Sequence, residues 1–321
     1  MHRAIVAESM NLGMSTVMTH SAFGNNAGES LRAVRDEAVR LEKLLSCFIS
    51  GSEISRINRS AGMKCERLSK DTYEVLSHAI EFSSCCQGLF DVTIGPLVAL
   101  WNSGKNASGP PDESKIRKVT PFVDYTGLVL DPCEKAARLQ RSGQSIDLGG
   151  IGKGFAGDKF LEVFKKYGVS SAFTNIGGNV VALGTKPDGF PWRVGIQHPR
   201  QENILIGLVS VADKAVVTSG DYQRYFIDRN GKRHHHILDP STGYPAESGL
   251  VSVTVVADSS TDADALSTLL FVAGMEKGLE LLKRFPGTEA IFVDMDLQVH
   301  VTAGLKECFQ AGEGISVNIL L

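Results

Sequence analysis

The sequence predicts an α+β (α/β) fold, with helices in the early part and a mostly antiparallel sheet with flanking helices after them. Three observations carry this reading. Residues 28–47 repeat apolar side chains at helical spacing, with Leu31, Val34, Ala38, Leu41, Leu44 and Leu45 on one face. After Pro121 the pattern changes to short β-type runs such as NVVALG, AVVTSG and VSVTVVA, bounded by turn residues. Two helical stretches interrupt these runs, 154–167 and 263–285, and the second is expected to break at Gly274.

Taken in order, a second helix is expected from Thr72 to Phe82. SGSEISRINRSAG, before it, reads as a polar loop, and NSGKNASGPPDESK, after Trp101, as an exposed connection. The helical part covers about 28–120 and the sheet-rich part about 121–303. No clean boundary separates them, so residues 1–321 are expected to form one integrated unit.

At 321 residues, 43% hydrophobic and 21% charged, the chain is long and apolar enough for a sizeable core. The net charge of -3 comes without a basic stripe, which argues against a nucleic-acid partner. The six cysteines (Cys47, Cys65, Cys85, Cys86, Cys133, Cys308) make no CxxC pair, so free thiols in a reduced compartment are expected. MHRAIVAESMNLGMSTVMTH lacks an apolar signal core and an early cysteine for lipid attachment. No run approaches the ~20 apolar residues of a membrane span. With Met1 as the start, a cytoplasmic protein is expected.

SIDLGGIGKGFAGD, residues 145–158, is the densest glycine cluster. It fails as a Walker loop, because Asp147 stands where the first glycine belongs and Gly154 follows the lysine. Gly152, Gly154 and Gly157 match a dinucleotide fingerprint, but the acidic residue expected about 20 positions later is missing. Glycines that only permit close packing of a strand-to-helix turn are a third reading. Lys153 at a helix N-terminus opposes the macrodipole unless an anion is present. Backbone N–H groups, helix N-terminus and lysine together suit a phosphate or pyrophosphate.

In SSTDADALSTLLFVAG, Asp264 and Thr268 are four apart and share a helix face. Thr261 and Asp264 also fit an acidic capping box. Alternatively, the Asp264 and Thr268 oxygens suit a hard cation such as Mg²⁺. Asp262 points elsewhere. In RHHHILDPSTGYP, residues 234–238 read as the end of a strand, with His234 and His236 on one face and His235 on the other. A zinc site, a structural role, or proton acceptance by His236 beside a phosphate are all open readings. GLFDVTIGPL sets Asp91 and Thr93 at one edge of a turn before Gly95-Pro96.

Together, FDVTIGPL, DLGGIGKGFAGD, NIGGNVVALG, TSGDYQRYF, HHILDPSTGYP and ADALSTLLFVAG resemble, in content and order, the ApbE-type FAD:protein FMN transferases. The resemblance runs from about Met14 to Ala303 and implies an α/β fold with a T-fold-like core. It implies binding of FAD with Mg²⁺ and cleavage of the pyrophosphate. FMN is then joined by a phosphoester to a Thr or Ser of an acceptor flavoprotein, and AMP is released. FAD hydrolysis to FMN and AMP, or a non-catalytic FAD carrier, are the rival activities.

Carried over by position, Asp147 and Lys153 would contact FAD. Met14, Phe90, Asp91, Val92, Leu238 and, less directly, Gly177 and Gly178 would line its site. The Gly150 carbonyl, Asp264 and Thr268 would hold the metal, and His236 would be the base. Three positions depart from the family's usual pattern: Ser15 stands where glycine is usual, Ser241 where arginine is common, and Gly150 where alanine is frequent. Many relatives are exported lipoproteins. This chain carries no such signal, which implies an acceptor, free or membrane-attached, whose flavinylated face lies inside the cell.

Overall fold

The computed structural model describes residues 6–106 and 109–320. Its main sheet has nine strands: Val6–Gly13, Thr16–Phe23, Ser171–Ile176, Asn179–Leu183, Ala215–Gly220, Leu250–Ala257, Glu289–Asp294, Val299–Thr302 and Val317–Leu320. Their order in space follows their order in the chain. Every neighbouring pair is antiparallel except the last, Val299–Thr302 with Val317–Leu320.

Leu250–Ala257 is buried at every position, which explains its near-continuous run of valines: both faces of the sheet are covered here. On one face, Val253 and Val255 pack with Phe155, Phe160, Leu266 and Leu270 of two helices, Gly152–Lys166 and Ser260–Ala273. Leu31, Val34 and Leu41 of the Ala27–Leu45 helix join the same core. On the other face, Val256 and Ile291 pack against Val194, Ile196 and Val209, which belong to a second sheet of Trp192–Gln197, Leu205–Val211 and Phe309–Ala311. The alternation of valine side chains between two cores is the period-2 rule at work. A smaller cluster of Leu97, Trp101, Ile116 and Leu238 lies apart.

Several expectations need correction. The sheet begins before the helices: Val6–Gly13 and Thr16–Phe23 form a hairpin at its edge. The alternation there is hard to recognise because Met10 and Leu12 face solvent, 74% and 79% exposed. SGSEISRINRSAG is not all loop. Ser52 caps a helix over Glu53–Arg59 by accepting the Ser55 N–H, and Ile54 and Ile57 are buried. The segment after Trp101 begins as helix, Gly95–Asn106. The histidine strand is Arg233–His235, ending before Leu238. The break at Gly274 is as expected: its φ of 78° stops one helix before Met275–Leu282 begins.

The departure at Ser15 has a conformational consequence. Gly13 and Thr16 pair, so Met14 and Ser15 form a two-residue turn, with φ of 50° and 60°. Both lie in the left-handed region, which a tight hairpin turn requires and which glycine at the second position meets without strain. Met14 N–H is anchored on Glu42 Oε1 at 2.9 Å. Ser15→Gly is expected to stabilise the protein by about 1 kcal/mol, by relieving the left-handed strain of a β-carbon. Urea unfolding measures it, and an unchanged or lower midpoint would contradict it.

Candidate active site

Two helix N-termini meet over the central strands of the sheet, and each is capped by the other helix. The Gly152–Lys166 helix starts after Ile151, whose side chain cannot cap it. Asp264 of the Ser260–Ala273 helix supplies the cap instead: its Oδ2 accepts the Gly154 N–H at 2.8 Å. In return, Asp158 of the first helix reaches the start of the second. Its Oδ1 accepts the Ser260 N–H at 2.8 Å, and its Oδ2 accepts the Thr261 N–H and hydroxyl at 2.8 and 2.6 Å. Each carboxylate sits where the partner's dipole is positive.

This exchange corrects two expectations. The residue that caps the second helix from within is Ser259, which accepts the Asp262 N–H, so Thr261 and Asp264 do not form a capping box. Gly154 and Gly157 serve close packing. A β-carbon on Gly154 would stand 2.2 Å from Ser260 O and 2.6 Å from Asp264 Cβ, and one on Gly157 would stand 2.7 Å from Ser260 Oγ. Asp158 itself went unnoticed in the sequence. Its only signal is its place directly after GKGFAG.

Asp264 is 2% exposed, and its second oxygen, Oδ1, pairs with Lys153 Nζ at 3.2 Å. Thr268 lies one turn along the helix, its Oγ1 3.4 Å from Ser219 Oγ. Gly150 packs against it: a β-carbon there would lie 3.3 Å from Thr268 Oγ1 and 3.1 Å from Phe90 Cε2. Because the Gly154 N–H turns to Asp264, the Gly150 carbonyl accepts no hydrogen bond among the described residues. A carboxylate paired with an ammonium thus lies one helical turn from a hydroxyl, with Gly150 packed against the threonine that bears it. Among the described residues no group of three or more His, Cys, Asp or Glu is placed to hold a metal. The all-oxygen donor set fits a hard cation rather than zinc.

Other expected residues border this point. Asp147 is half-buried; its N–H donates to Val92 O at 2.8 Å, and its Oδ1 accepts the Gly149 N–H at 2.7 Å. Cys47 Sγ donates to the other oxygen at 3.8 Å, and burial, with the Asp147 charge second, pushes that thiol's pKa up to about 12. The Met14 methyl lies 3.8 Å from where a Gly152 β-carbon would be. Gly177 and Gly178 form another two-residue turn, with φ of 57° and 99°. A β-carbon on Gly177 would fall 2.1 Å from Thr16 Oγ1, so the two hairpin turns abut.

Three residues have partners of another kind. Both Asp91 oxygens accept hydrogen bonds, Oδ1 from the Thr93 N–H and hydroxyl in its own loop and Oδ2 from the Tyr125 N–H of a distant turn at 2.8 Å. Val92 is buried in the main core, and Leu238 packs in the cluster with Trp101.

The three histidines do three different things. His234 binds Asp228 through Nε2 at 2.9 Å and stacks on Phe226. His235 Nε2 meets Ala246 O at 3.1 Å. His236 opens to solvent, with Nδ1 3.1 Å from Arg224 O. Desolvation by the surrounding protein, then the nearby Arg224 charge and, more weakly, Lys153, hold its imidazole well below the ordinary range. His236 is therefore uncharged at neutral pH, and the same lowering makes it a weak base.

Fold and site together bring an ammonium, a buried carboxylate and a hydroxyl to the start of a glycine-rich helix. The ApbE family model matches residues 14–292, and the chain belongs to the ApbE family. It is 36% identical to the FAD:protein FMN transferase of Treponema pallidum, over 92% of this chain and 86% of the relative. It is 37% identical to one from Klebsiella pneumoniae, over 79% and 78%. Among solved structures, the ApbE protein of Thermotoga maritima superposes with a TM-score of 0.87 at 30% identity, covering 95% of this chain and 99% of that one. The flavinyl transferase ApbE of Pseudomonas stutzeri gives 0.83 at 32% identity, covering 96% and 98%.

Asp158→Ala removes the acceptor of four hydrogen bonds, the fourth from Ser259 Oγ. A loss of about 2 kcal/mol or more is expected, because the Ser260 and Thr261 N–H groups lose their acceptor at a buried helix start. Denaturant unfolding reads it, and an unchanged midpoint would contradict the reciprocal cap.

Proposed function

We propose that the chain is an FAD:protein FMN transferase that works as a single unit over residues 1–321. The acceptor's Thr or Ser oxygen attacks the phosphorus on the FMN side of the pyrophosphate. A phosphoester forms, the bond to the bridging oxygen breaks, and AMP leaves with that bond's electron pair. The observation that carries the reading is Lys153 paired with the buried Asp264 at the glycine-rich helix start, in a chain whose relatives bear this activity in their names.

Lys153 would neutralise pyrophosphate charge, and the glycine-rich turn would let backbone approach it. Asp147, Met14 and Phe90 would border the dinucleotide. Gly177 and Gly178 shape the rim, while Asp91, Val92 and Leu238 hold the loops behind it. His236, neutral and solvent-facing, would take the hydroxyl proton. Mg²⁺ held by Asp264, Thr268 and the Gly150 carbonyl would offset the negative charge that repels a nucleophile and steady the departing AMP oxygens.

The cytoplasm suits the chain, since all six cysteines are free. Among the described residues no helix is long and apolar enough to cross a membrane. The partner would be a flavoprotein whose acceptor residue faces that compartment.

The test incubates the protein with FAD, Mg²⁺ and candidate flavoproteins, and seeks FMN on Thr or Ser by mass spectrometry. Asp264→Asn keeps an oxygen for the Gly154 N–H but loses the charge. It is expected to lower transfer by at least about 100-fold, the scale of a lost charge-stabilising group, while FAD affinity falls less. Full transfer by this variant at saturating Mg²⁺ would sink the metal assignment, and release of free FMN alone would favour hydrolysis.

A further inference from the structure

Lys153 occupies an unusual place. It lies in the first turn of its helix, where the macrodipole repels a cation, yet its ammonium is drawn inward to Asp264 Oδ1 at 3.2 Å. The carboxylate is the buried member of the pair: its side chain is 3% exposed, against 23% for Lys153. Asp264 Oδ2 is already committed to the Gly154 N–H. Oδ1 is therefore the oxygen left for a metal, and Lys153 is on it. Thr268 Oγ1 beside it has only a long contact to Ser219, and the Gly150 carbonyl is free among the described residues.

A buried carboxylate without a counter-charge is costly, and the Lys153 ammonium supplies that charge. A divalent ion and an ammonium on one oxygen repel, so both cannot remain there. We propose that Lys153 is an exchangeable counter-cation of Asp264. It balances the carboxylate in the empty enzyme and swings outward to the pyrophosphate when metal takes Oδ1. The inference rests on the metal assignment of the proposed function and adds a consequence to it. Metal alone must expel an ammonium that has no new partner, whereas metal arriving with FAD gives that ammonium an anion to bind. Binding of the two is thereby coupled through one side chain.

Mn²⁺ binding, followed by electron paramagnetic resonance with and without FAD, tests this in the full-length protein. Lys153→Met is expected to bind Mn²⁺ alone about tenfold more tightly than wild type, inside the 5–150-fold range of coupled sites. FAD should then tighten Mn²⁺ less in this variant than in wild type. Lys153→Arg, which keeps the charge, should retain the weak metal-only binding, and Lys153→Gln, neutral like methionine, makes the same comparison if the methionine variant fails to fold. Equal or weaker Mn²⁺ affinity in Lys153→Met, or metal-only binding in Lys153→Arg tightened like that expected of a neutral side chain, overturns the exchange. If wild type binds no Mn²⁺ even with FAD, the metal assignment itself falls and the exchange with it. If wild type binds it and the neutral substitutions do not alter metal-only affinity, the exchange alone fails.

Discussion

The site depends on two helices that cap each other. Asp264 satisfies the start of the Gly152–Lys166 helix, and Asp158 satisfies the start of the Ser260–Ala273 helix. Neither helix has all it needs within itself, since Ile151 offers no capping oxygen. The arrangement requires the helices to touch, and the absent β-carbons at Gly154 and Gly157 permit it. From that contact the rest follows: Lys153 is held beside a buried carboxylate, and Thr268 stands against Gly150. Had Asp264 capped its own helix, its charge would not have been delivered across to the glycine-rich turn.

The sheet fixes where this junction lies. Strands placed in chain order bring the Met14–Ser15 turn and the Gly177–Gly178 turn to one edge, where Thr16 and Gly177 abut. The glycine-rich turn reaches the same neighbourhood because Asp147 N–H is tied to Val92 O and the Met14 side chain lies near Gly152. Leu250–Ala257, buried on both faces, gives the Ser260–Ala273 helix a packed support. Placing reactive groups at helix ends and turns, over a packed sheet, combines precise positioning with access for a large ligand.

Much of this was legible in the sequence. The heptad-like apolar spacing of residues 28–47, the strand runs after Pro121 and the glycine break at 274 each report local physics, and each appears. The Asp264–Thr268 spacing placed two oxygens on one helix face, and the lysine at a helix start hinted at an anion. What escaped depends on tertiary partners. The edge hairpin exposes Met10 and Leu12, so its alternation lacks the usual sign of burial. The Glu53–Arg59 helix is short and polar, held by Ser52 and two buried isoleucines rather than by a long stripe. Asp158 acts on residues about a hundred positions away, and no local pattern announces that. The Asp91 carboxylate ties its loop to Tyr125, a partner 34 positions on that its motif does not reveal.

The central claim is that the crossed caps deliver Asp264 to the same point as Thr268, Gly150 and the pyrophosphate of FAD. Anomalous X-ray diffraction from crystals holding Mn²⁺ and FAD locates the metal directly. The expected result is one peak bonded to Asp264 Oδ1, Thr268 Oγ1 and the Gly150 carbonyl, with the Gly154 N–H still on Oδ2 and Lys153 on a phosphate oxygen. A metal bound elsewhere, or Lys153 still paired with Asp264 in that complex, would contradict the account.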